Sequence, residues 1–305
     1  MLNNLISQPM QSFIANKIVN SPFTQHGEGP IWHQGRQTVF WVDILSHSFY
    51  EYHLENNELI KYPQTKLVST LYEIEGDSDH LIAVVQGGIA LYNLPNKTYQ
   101  IINDLNIQWE NHRGNDGAVD PKGNIWLSST HMDHLEGEGD LYRFNAFGEL
   151  EKMLPSVSIS NGPCWTLDGK LMFHTDSGSR VIKSYTLEES RLSEAEATIK
   201  IGEEFGYPDG MAMDQNGILW VAIWGGHAVA GFDTTTGELT YKIDIPAPHV
   251  SSCAFVGTKL NQLIITTSRK DLSAEQLAKY PQSGNIFIVQ MDAAGVPVNA
   301  FKKKF

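Results

Sequence analysis

The chain repeats one short pattern six times, and this repetition constrains its fold more than any other feature. Each copy has a turn rich in Gly, Asp or Asn, then four or five apolar or β-branched residues, then a small polar residue. The steps between equivalent positions are 42, 43, 47, 47 and 44 residues, counted along Phe40, Ile82, Ile125, Met172, Leu219 and Leu263. Periods of roughly 20–50 residues are typical of repeat architectures.

A second alternating segment follows each copy, for example SFYEYHL at 48–54 and AVAGFDT at 228–234. Short period-two strands joined by tight turns indicate antiparallel sheet. Four strands per unit of about 45 residues match the blade of a β-propeller. We therefore predict an all-β, six-bladed β-propeller with four antiparallel strands per blade, in one domain over residues 1–305. A two-sheet sandwich or two unrelated β domains would not predict six near-equal spacings.

Three segments outside the repeated strands complete the fold prediction. The N-terminal segment of about residues 1–20 contains SFIANKIV at 12–19, which we expect to close the last blade beside NIFIVQM at 285–291. Segments 188–200 and 271–280 are compatible with helices and fall where insertions between strands belong.

The net charge and the cysteine content indicate which binding partners and which cellular compartment to expect. The net charge of −13 repels phosphate backbones and anionic lipids, so we expect no nucleic-acid and no membrane partner. The sequence has no apolar run long enough to span a bilayer and no secretory signal, which favours a cytoplasmic location. Cys164 and Cys253 lack zinc-site spacing and are expected to be free buried thiols. We expect a monomer or weak oligomer.

Repeat symmetry also predicts the position of a functional site. Residues that begin the innermost strands of successive blades are related by rotation about one axis, so they meet at one mouth of the central channel. A polar residue stands 10–12 residues before each aligned position, namely Glu28, Thr70, Asn115, Asn161, Asp209 and Ser252. Asn-Gly and Asp-Gly pairs also occur in ordinary turns. Glu28 favours a site, because Glu is not a turn residue.

A divalent cation suits this set of side chains. Two carboxylates facing one small cavity repel each other, and a cation between them removes that penalty. Carboxylate and amide oxygens are ligands for Ca²⁺, Mg²⁺, Mn²⁺ or Zn²⁺, so the identity of the ion stays open. Three protein ligands would leave coordination positions for water or substrate.

Longer segments of the chain resemble the regucalcin/gluconolactonase family of six-bladed propeller sugar lactonases. The matching segments are GEGPIW (27–32), RGNDGAVDPKGNIW (113–126), SNGPCWTLDG (160–169), HTDS (174–177), PDGMAMDQNGILWVAIWGG (208–226) and SGNIFIV (283–289). The resemblance implies a metal-dependent lactonase. Such an enzyme hydrolyses a small-molecule sugar aldonolactone, either a pentono- or a hexonolactone, to the aldonic acid.

The resemblance also implies roles for individual residues. It implies a metal site formed by Glu28, Asn161 and Asp209, with Asp209 also the catalytic general base. It implies substrate binding by Arg113 and Asn115, which would contact the hydroxyls of the lactone. In the loop at 130–140 it implies an acidic substrate contact, for which Asp133 is the expected residue and Glu136 and Glu138 compete.

Several alternatives remain open from the sequence. The same site could hydrolyse a phosphotriester or another ester, or the chain could be a non-enzymatic calcium-binding propeller. His131 and His134 form an HxxH pair that could hold zinc, although loop histidines more often contact solvent or a ligand. Trp224, before Gly225 and Gly226, is the expected aromatic residue at the rim that stacks on a sugar face.

Overall fold

A computed structural model describes residues 13–188 and 191–305, and nearly all of the regular secondary structure in these residues is antiparallel β-sheet. This confirms the all-β prediction. The first twelve strands are β1 (Asn16–Lys17), β2 (Gly27–His33), β3 (Thr38–Asp43), β4 (Ser48–Tyr52), β5 (Leu59–Pro63), β6 (Val68–Ile74), β7 (Asp77–Val85), β8 (Gly88–Asn93), β9 (Thr98–Asn103), β10 (His112–Val119), β11 (Ile125–His131) and β12 (Gly139–Phe144). The others are β13 (Leu150–Val157), β14 (Ser160–Trp165), β15 (Met172–Asp176), β16 (Val181–Glu188), β17 (Arg191–Lys200), β18 (Tyr207–Met213), β19 (Ile218–Trp224), β20 (Ala228–Asp233), β21 (Leu239–Asp244), β22 (His249–Val256), β23 (Gln262–Ser268) and β24 (Phe287–Gln290).

The strands pair in groups of four that follow chain order. Strands β2–β5, β6–β9, β10–β13 and β14–β17 form four separate sheets. The remaining strands form one eight-stranded sheet, in which a single residue pair, Trp224 with His249, joins the set β18–β21 to the set β22–β24 with β1. Asn16 pairs with Ile288 and Lys17 with Phe287, so β1 from the start of the chain completes the last set. Residues 1–12 of the expected closing segment lie outside the described residues.

The sets of strands are arranged in a ring. Each first strand contacts the first strand of the next set, through β2, β6, β10, β14, β18 and β22, and β22 contacts β2 again. Buried apolar side chains fill each space between neighbouring sets. The cluster with Trp41 of β3 and Ile264 of β23 joins the first set to the last. This radial repetition is the arrangement of a β-propeller.

The turn that joins the first strand to the second has the same chemistry in two of the sets. Asp120 accepts a hydrogen bond from Trp126 Nε1, and Asp214 accepts one from Trp220 Nε1, both at 3.0 Å. The other oxygen of each carboxylate accepts backbone N–H groups of the turn, as Asp side chains commonly do. Each Asp therefore closes its turn and also fixes the tryptophan in the core between two sheets.

The two helix-compatible segments have different outcomes. Segment 271–280 contains the short helix α1 (Ala274–Lys279), whose N-cap Ser273 forms a capping box with Gln276. The interpretation of segment 188–200 as a helical insertion is wrong, because Arg191–Lys200 is the outer strand β17, paired with β16. Pairing with an existing sheet edge outweighs the modest helix propensity of this Glu- and Ala-containing segment.

The described residues include both cysteines and every helix that could be tested for crossing a membrane. Cys164 and Cys253 are both free thiols, as predicted. Cys253 is buried as expected, whereas Cys164 is only partly buried. No helix among residues 13–188 and 191–305 has both the length and the apolar character needed to cross a membrane.

Candidate active site

A β-bulge interrupts the first strand of every set close to the polar residue that repeat symmetry selects. Asn115 lies in the bulge of β10 and Asp209 in that of β18, whereas Glu28 and Asn161 are the last paired residues before the bulges of β2 and β14. Strands β6 and β22 carry a bulge beside Thr70 and Ser252. Bulges re-aim side chains relative to the regular pleat. Here they occur at the same end of each first strand.

The bulged strands bring most of the predicted site residues into one cavity of about 340 Å³. Its lining includes the residues predicted for metal and substrate, namely Glu28, Asn161, Asp209, Arg113 and Asn115. Trp224 lines the same cavity, as expected for the aromatic residue at its rim. Glu28, Asn161 and Asp209 are each less than a tenth exposed. The three groups that repeat geometry selects are therefore buried together.

Asp133 is placed differently from the other predicted residues. Its side chain is exposed in the loop between β11 and β12 and is not among the residues that line the cavity. The next residue, His134, has a positive φ of 54° and lines the cavity instead. A substrate contact by Asp133 stays a prediction, and Glu136 and Glu138 are likewise exposed.

A continuous chain of hydrogen bonds connects three of the first strands around the cavity. Arg113 Nη1 donates to Asn115 Oδ1 at 2.6 Å, and Asn115 Nδ2 donates to Asn161 Oδ1 at 3.2 Å. Asn161 Nδ2 donates to Ser177 Oγ at 2.7 Å. The hydroxyl of Ser177 donates to the carbonyl of Pro208, also at 2.7 Å. The chain thus runs from Arg113 to the residue before Asp209.

This chain fixes which way the Asn161 amide faces. A serine hydroxyl has one hydrogen, and the hydrogen of Ser177 is used on the Pro208 carbonyl. Ser177 Oγ must then accept from Asn161, so the Asn161 NH₂ group points to Ser177. The amide oxygen of Asn161 consequently faces Asn115 and the cavity, which is the orientation that a cation ligand needs.

Burial and mutual repulsion disfavour negative charge on the cavity carboxylates. Burial, and then the nearby Asp116, raise the pKa of Glu28 to about 8. Burial, then Glu28 and Asp116, raise the pKa of Asp209 well above its usual value. Burial lowers the pKa of Arg113 to about 10, which leaves this guanidinium charged at neutral pH beside Glu28 and Asp209. The charged Arg113 side chain thus lies near two carboxyl groups, those of Glu28 and Asp209.

Asp116 lies beneath the cavity and is held by backbone donors. Its carboxylate accepts the N–H groups of Gly162 and Gly117, both at 2.8 Å. Burial raises the pKa of Asp116 to about 6, and these two hydrogen bonds oppose the rise. Asp116 adds to the negative potential at Glu28 and Asp209, and its own oxygens are already used by the two N–H groups.

Sequence reasoning missed seven of the residues that line the cavity, among them His26, Ser177 and Lys270. His26 is buried against Trp224 and has its Nδ1 3.1 Å from Ser268 Oγ. Alternation along a strand places residues two apart on one face, so the position of His26 before Glu28 was an available signal. Lys270 also lines the cavity, but it follows β23 in a loop where no repeat places it.

The HxxH pair does not converge on one point. His131 Nδ1 accepts the backbone N–H of Asp133, whereas His134 lines the cavity. Among residues 13–188 and 191–305, no three His, Cys, Asp or Glu side chains are grouped closely enough to hold a metal ion. The set of Glu28, Asn161 and Asp209 contains only two such side chains, because its third oxygen comes from an amide.

Comparisons with known proteins agree with the geometry. A family model described as the SMP-30/gluconolactonase/LRE-like region matches residues 26–269. YvrE of Bacillus subtilis, which is named as a proposed sugar lactone lactonase, is 33% identical over 273 residues, covering 88% of this chain and 92% of YvrE. A regucalcin structure from Agrobacterium tumefaciens, described as a calcium-binding protein, has a TM-score of 0.88 at 22% identity over 96% of this chain and 98% of its own. A luciferin-regenerating enzyme has a TM-score of 0.86 at 27% identity over 94% and 99% of the two chains.

The family match and the YvrE similarity both cover most of the chain. The family match, at residues 26–269, includes every first strand that lines the cavity. The likeness to the Agrobacterium structure, at its lower identity, shows the shared fold. The chain therefore belongs to the SMP-30/gluconolactonase/LRE-like family.

Proposed function

We propose that this protein hydrolyses a sugar lactone to the aldonic acid at the cavity formed by β2, β10, β14 and β18, using one divalent cation. The observation that carries the proposal is the burial of Glu28 and Asp209 together in one cavity with Asn161. The similarity to YvrE, named for sugar lactone lactonase activity, supports the reaction. The regucalcin structure described as calcium-binding supports a cation.

The residues present fit a divalent cation. Two carboxylates with raised pKa values lie beside an amide whose oxygen faces the cavity, and all three are oxygen ligands of hard or borderline cations. A cation would stabilise both carboxylates in their charged form, which burial alone disfavours. Glu28, Asn161 and Asp209 would hold the ion.

The remaining cavity residues would bind and orient the substrate. Arg113 presents N–H donors that can bind the lactone hydroxyls. Asn115 donates both N–H groups to Ser160 and Asn161, so its Oδ1 would accept from a lactone hydroxyl. The hydrogen bond between Arg113 and Asn115 limits the motion of both side chains. Trp224 offers an aromatic face for the apolar face of the sugar ring. We extend the proposal to Asp133, which would contact the substrate from the exposed loop.

In the proposed reaction, a water oxygen attacks the lactone carbonyl carbon while Asp209 accepts a proton from that water. The bond between the carbonyl carbon and the ring oxygen then breaks, and the ring oxygen takes up a proton to become a hydroxyl. When bound, a divalent cation supplies polarisation of the carbonyl and stabilises negative charge in the transition state. The position of Asp209 supports this role, because its carboxyl group is buried in the cavity where the lactone would bind.

We further propose that the ring has six blades. Four blades would be the four separate sheets, and the eight-stranded sheet would contribute two. The single residue pair between β19 and β22 supports this division, as does the apolar cluster that separates the two sets. The cyclic contacts among the first strands support a closed ring.

The test is a metal-stripped protein reconstituted separately with Ca²⁺, Mg²⁺, Mn²⁺ and Zn²⁺ and assayed against pentono- and hexonolactones. We expect lactone hydrolysis that depends on the cation and falls at least about 100-fold in Asp209→Asn. Glu75→Gln is the matched control, because Glu75 is exposed in the turn between β6 and β7. Full turnover by Asp209→Asn, or activity on a phosphotriester alone, would overturn the proposal.

A further inference from the structure

A second cation of the protein lines the cavity, and its surroundings differ from those of Arg113. Lys270 follows β23, and its side chain is 22% exposed. Its Nζ lies 2.7 Å from Asp271 Oδ2 and 3.3 Å from His134 Nε2. The contact with His134 connects two loops, after β23 and after β11, on the same cavity.

Asp271 also lines the cavity, and its ion pair with Lys270 neutralises the ammonium only in part. Burial, then the charges of Arg113 and Lys270, lower the pKa of His134 to about 4, so His134 is neutral and accepts a hydrogen bond from the ammonium. The Asp271 side chain is 70% exposed, and water screens such a carboxylate strongly. The ammonium is thus the more enclosed member of the ion pair.

Arg113 has a different environment, because it is buried beside Glu28 and Asp209, which offset its charge. Lys270 lies in the loop after β23, whereas these carboxylates lie on β2 and β18, so Lys270 adds a second source of positive potential to the cavity. The whole chain carries a net charge of −13, so this potential is local to the cavity and does not come from a basic surface. Hydroxyl groups of a neutral sugar can bind neutral hydrogen-bonding groups, whereas an anionic group forms a stronger, charge-assisted hydrogen bond with an ammonium.

The backbone of Lys270 is held in place from both sides. Its N–H donates to Ser268 Oγ at 3.0 Å, and its carbonyl lies 3.0 Å from His249 Nδ1. His249 in turn stacks on Trp224 with ring centroids 4.1 Å apart. The position of the lysine is therefore tied to the aromatic residue proposed to contact the sugar ring, which makes Lys270 a preorganised binding group.

We propose that Lys270 binds an anionic group of the substrate, so that the preferred substrate is a sugar lactone bearing a carboxylate or a phosphate. The inference rests on the proposed lactone hydrolysis and specifies its substrate class. The anionic group would accept a charge-assisted hydrogen bond from Nζ, while the lactone ring occupies the space beside Arg113 and Asn115.

The experiment compares kcat/KM for glucarolactone, 6-phosphogluconolactone and neutral gluconolactone. Wild type should prefer at least one anionic lactone by about 10-fold, the value of one charge-assisted hydrogen bond. Lys270→Met should lower that anionic-to-neutral ratio about 10-fold. Lys259→Met removes the same charge from an exposed turn between β22 and β23 and should leave the ratio unchanged. The anion that responds identifies carboxylate or phosphate as the recognised group.

Equal kcat/KM for all three lactones in wild type, or a ratio that Lys270→Met leaves unchanged, would overturn the inference while lactone hydrolysis stands. Absence of all hydrolysis would instead overturn the proposed function. Calorimetry then tests Lys270 without turnover, by comparing the binding of glucarate and of 6-phosphogluconate with that of gluconate. Tighter binding of either doubly acidic ligand that Lys270→Met abolishes supports the inference, and equal binding of all three sugar acids contradicts it.

Discussion

The Glu28 carboxylate raises the pKa of Asp209, although the two residues lie on the first strands of different sheets, β2 and β18. Neither side chain is more than a tenth exposed. Their repulsion is therefore a cost to the metal-free fold that a bound cation would relieve. This repulsion between Glu28 and Asp209 can be measured independently of any activity.

In metal-free protein at pH 8, Glu28→Gln and Asp209→Asn should each raise the free energy of unfolding. The unfolded chain ionises these carboxyl groups freely, whereas burial and mutual repulsion disfavour their charged form in the folded chain. The double variant should gain less than the sum of the single variants, with a coupling of about 0.5–3 kcal/mol. Urea denaturation in the presence of a chelator measures all four proteins. Lower stability of both single variants, or strict additivity, would contradict the repulsion.

The orientation of Asn161 depends on Ser177, so Ser177→Ala should weaken cation binding by about 10-fold, as loss of groups that orient metal ligands commonly does. The matched control is Ser179→Ala, since Ser179 is exposed in the same 3₁₀ turn and its hydroxyl bonds to the backbone of Asp176 and Val181, which flank that turn. Titration calorimetry with Ca²⁺ or Mn²⁺ gives the affinities. Unchanged affinity in Ser177→Ala would show that another contact orients the amide.

Buried His174 makes stability depend on pH. Burial lowers the pKa of His174 to about 4, whereas an unfolded histidine has a pKa of about 6.5. Between these values the unfolded chain binds a proton that the folded chain excludes, so the free energy of unfolding falls as the pH drops from 6.5 to 4. His26 and His134 act in the same direction.

His174→Gln should therefore reduce that pH slope, by up to about 1.4 kcal/mol per pH unit. Gln can keep a hydrogen bond to Ser160 Oγ, which lies 2.7 Å from His174 Nε2. Urea denaturation at several pH values gives the slope, and His47→Gln serves as a control at an exposed histidine. A slope identical to that of wild type would rule out this role for His174.

Close packing of neighbouring first strands limits the residue after Asp209. A Cβ atom added at Gly210 would lie 2.1 Å from Ser252 Oγ and 2.9 Å from Ser252 Cα. Gly210→Ala should therefore cost about 1–3 kcal/mol of stability and displace Asp209, lowering activity more than stability alone explains. Gly178→Ala, where no atom lies within 4 Å of the added carbon, should leave the melting temperature nearly unchanged.

Much of the fold could be predicted because its signals are local. Tight turns and alternating residues mark each strand, and the six aligned residues from Phe40 to Leu263 all lie in the second strand of their set. Rotational symmetry then placed Glu28, Asn161 and Asp209 at one cavity without any knowledge of contacts. These inferences needed only the repeat period of the chain and the direction in which the chain runs through each first strand.

The features that the sequence did not reveal depend on non-local contacts. Within segment 188–200, Arg191–Lys200 becomes a strand because an edge of β16 is available to it, which the composition of these residues does not show. Lys270 and His134 reach the cavity from loops, where no period applies, and the turn at His134 moves Asp133 out into solvent. Loop residues must be located by the conformation of the loop itself.

The bulges in the first strands keep the backbone geometry of the site independent of which side chains it carries. Because each bulge lies at the same end of its strand, the scaffold offers side-chain positions to one axis regardless of which residue stands there. Thr70 and Ser252 occupy two such positions without a role in the proposed reaction. New catalytic behaviour could therefore evolve, or be engineered, by exchanging a few side chains around this axis while every strand and turn stays as it is.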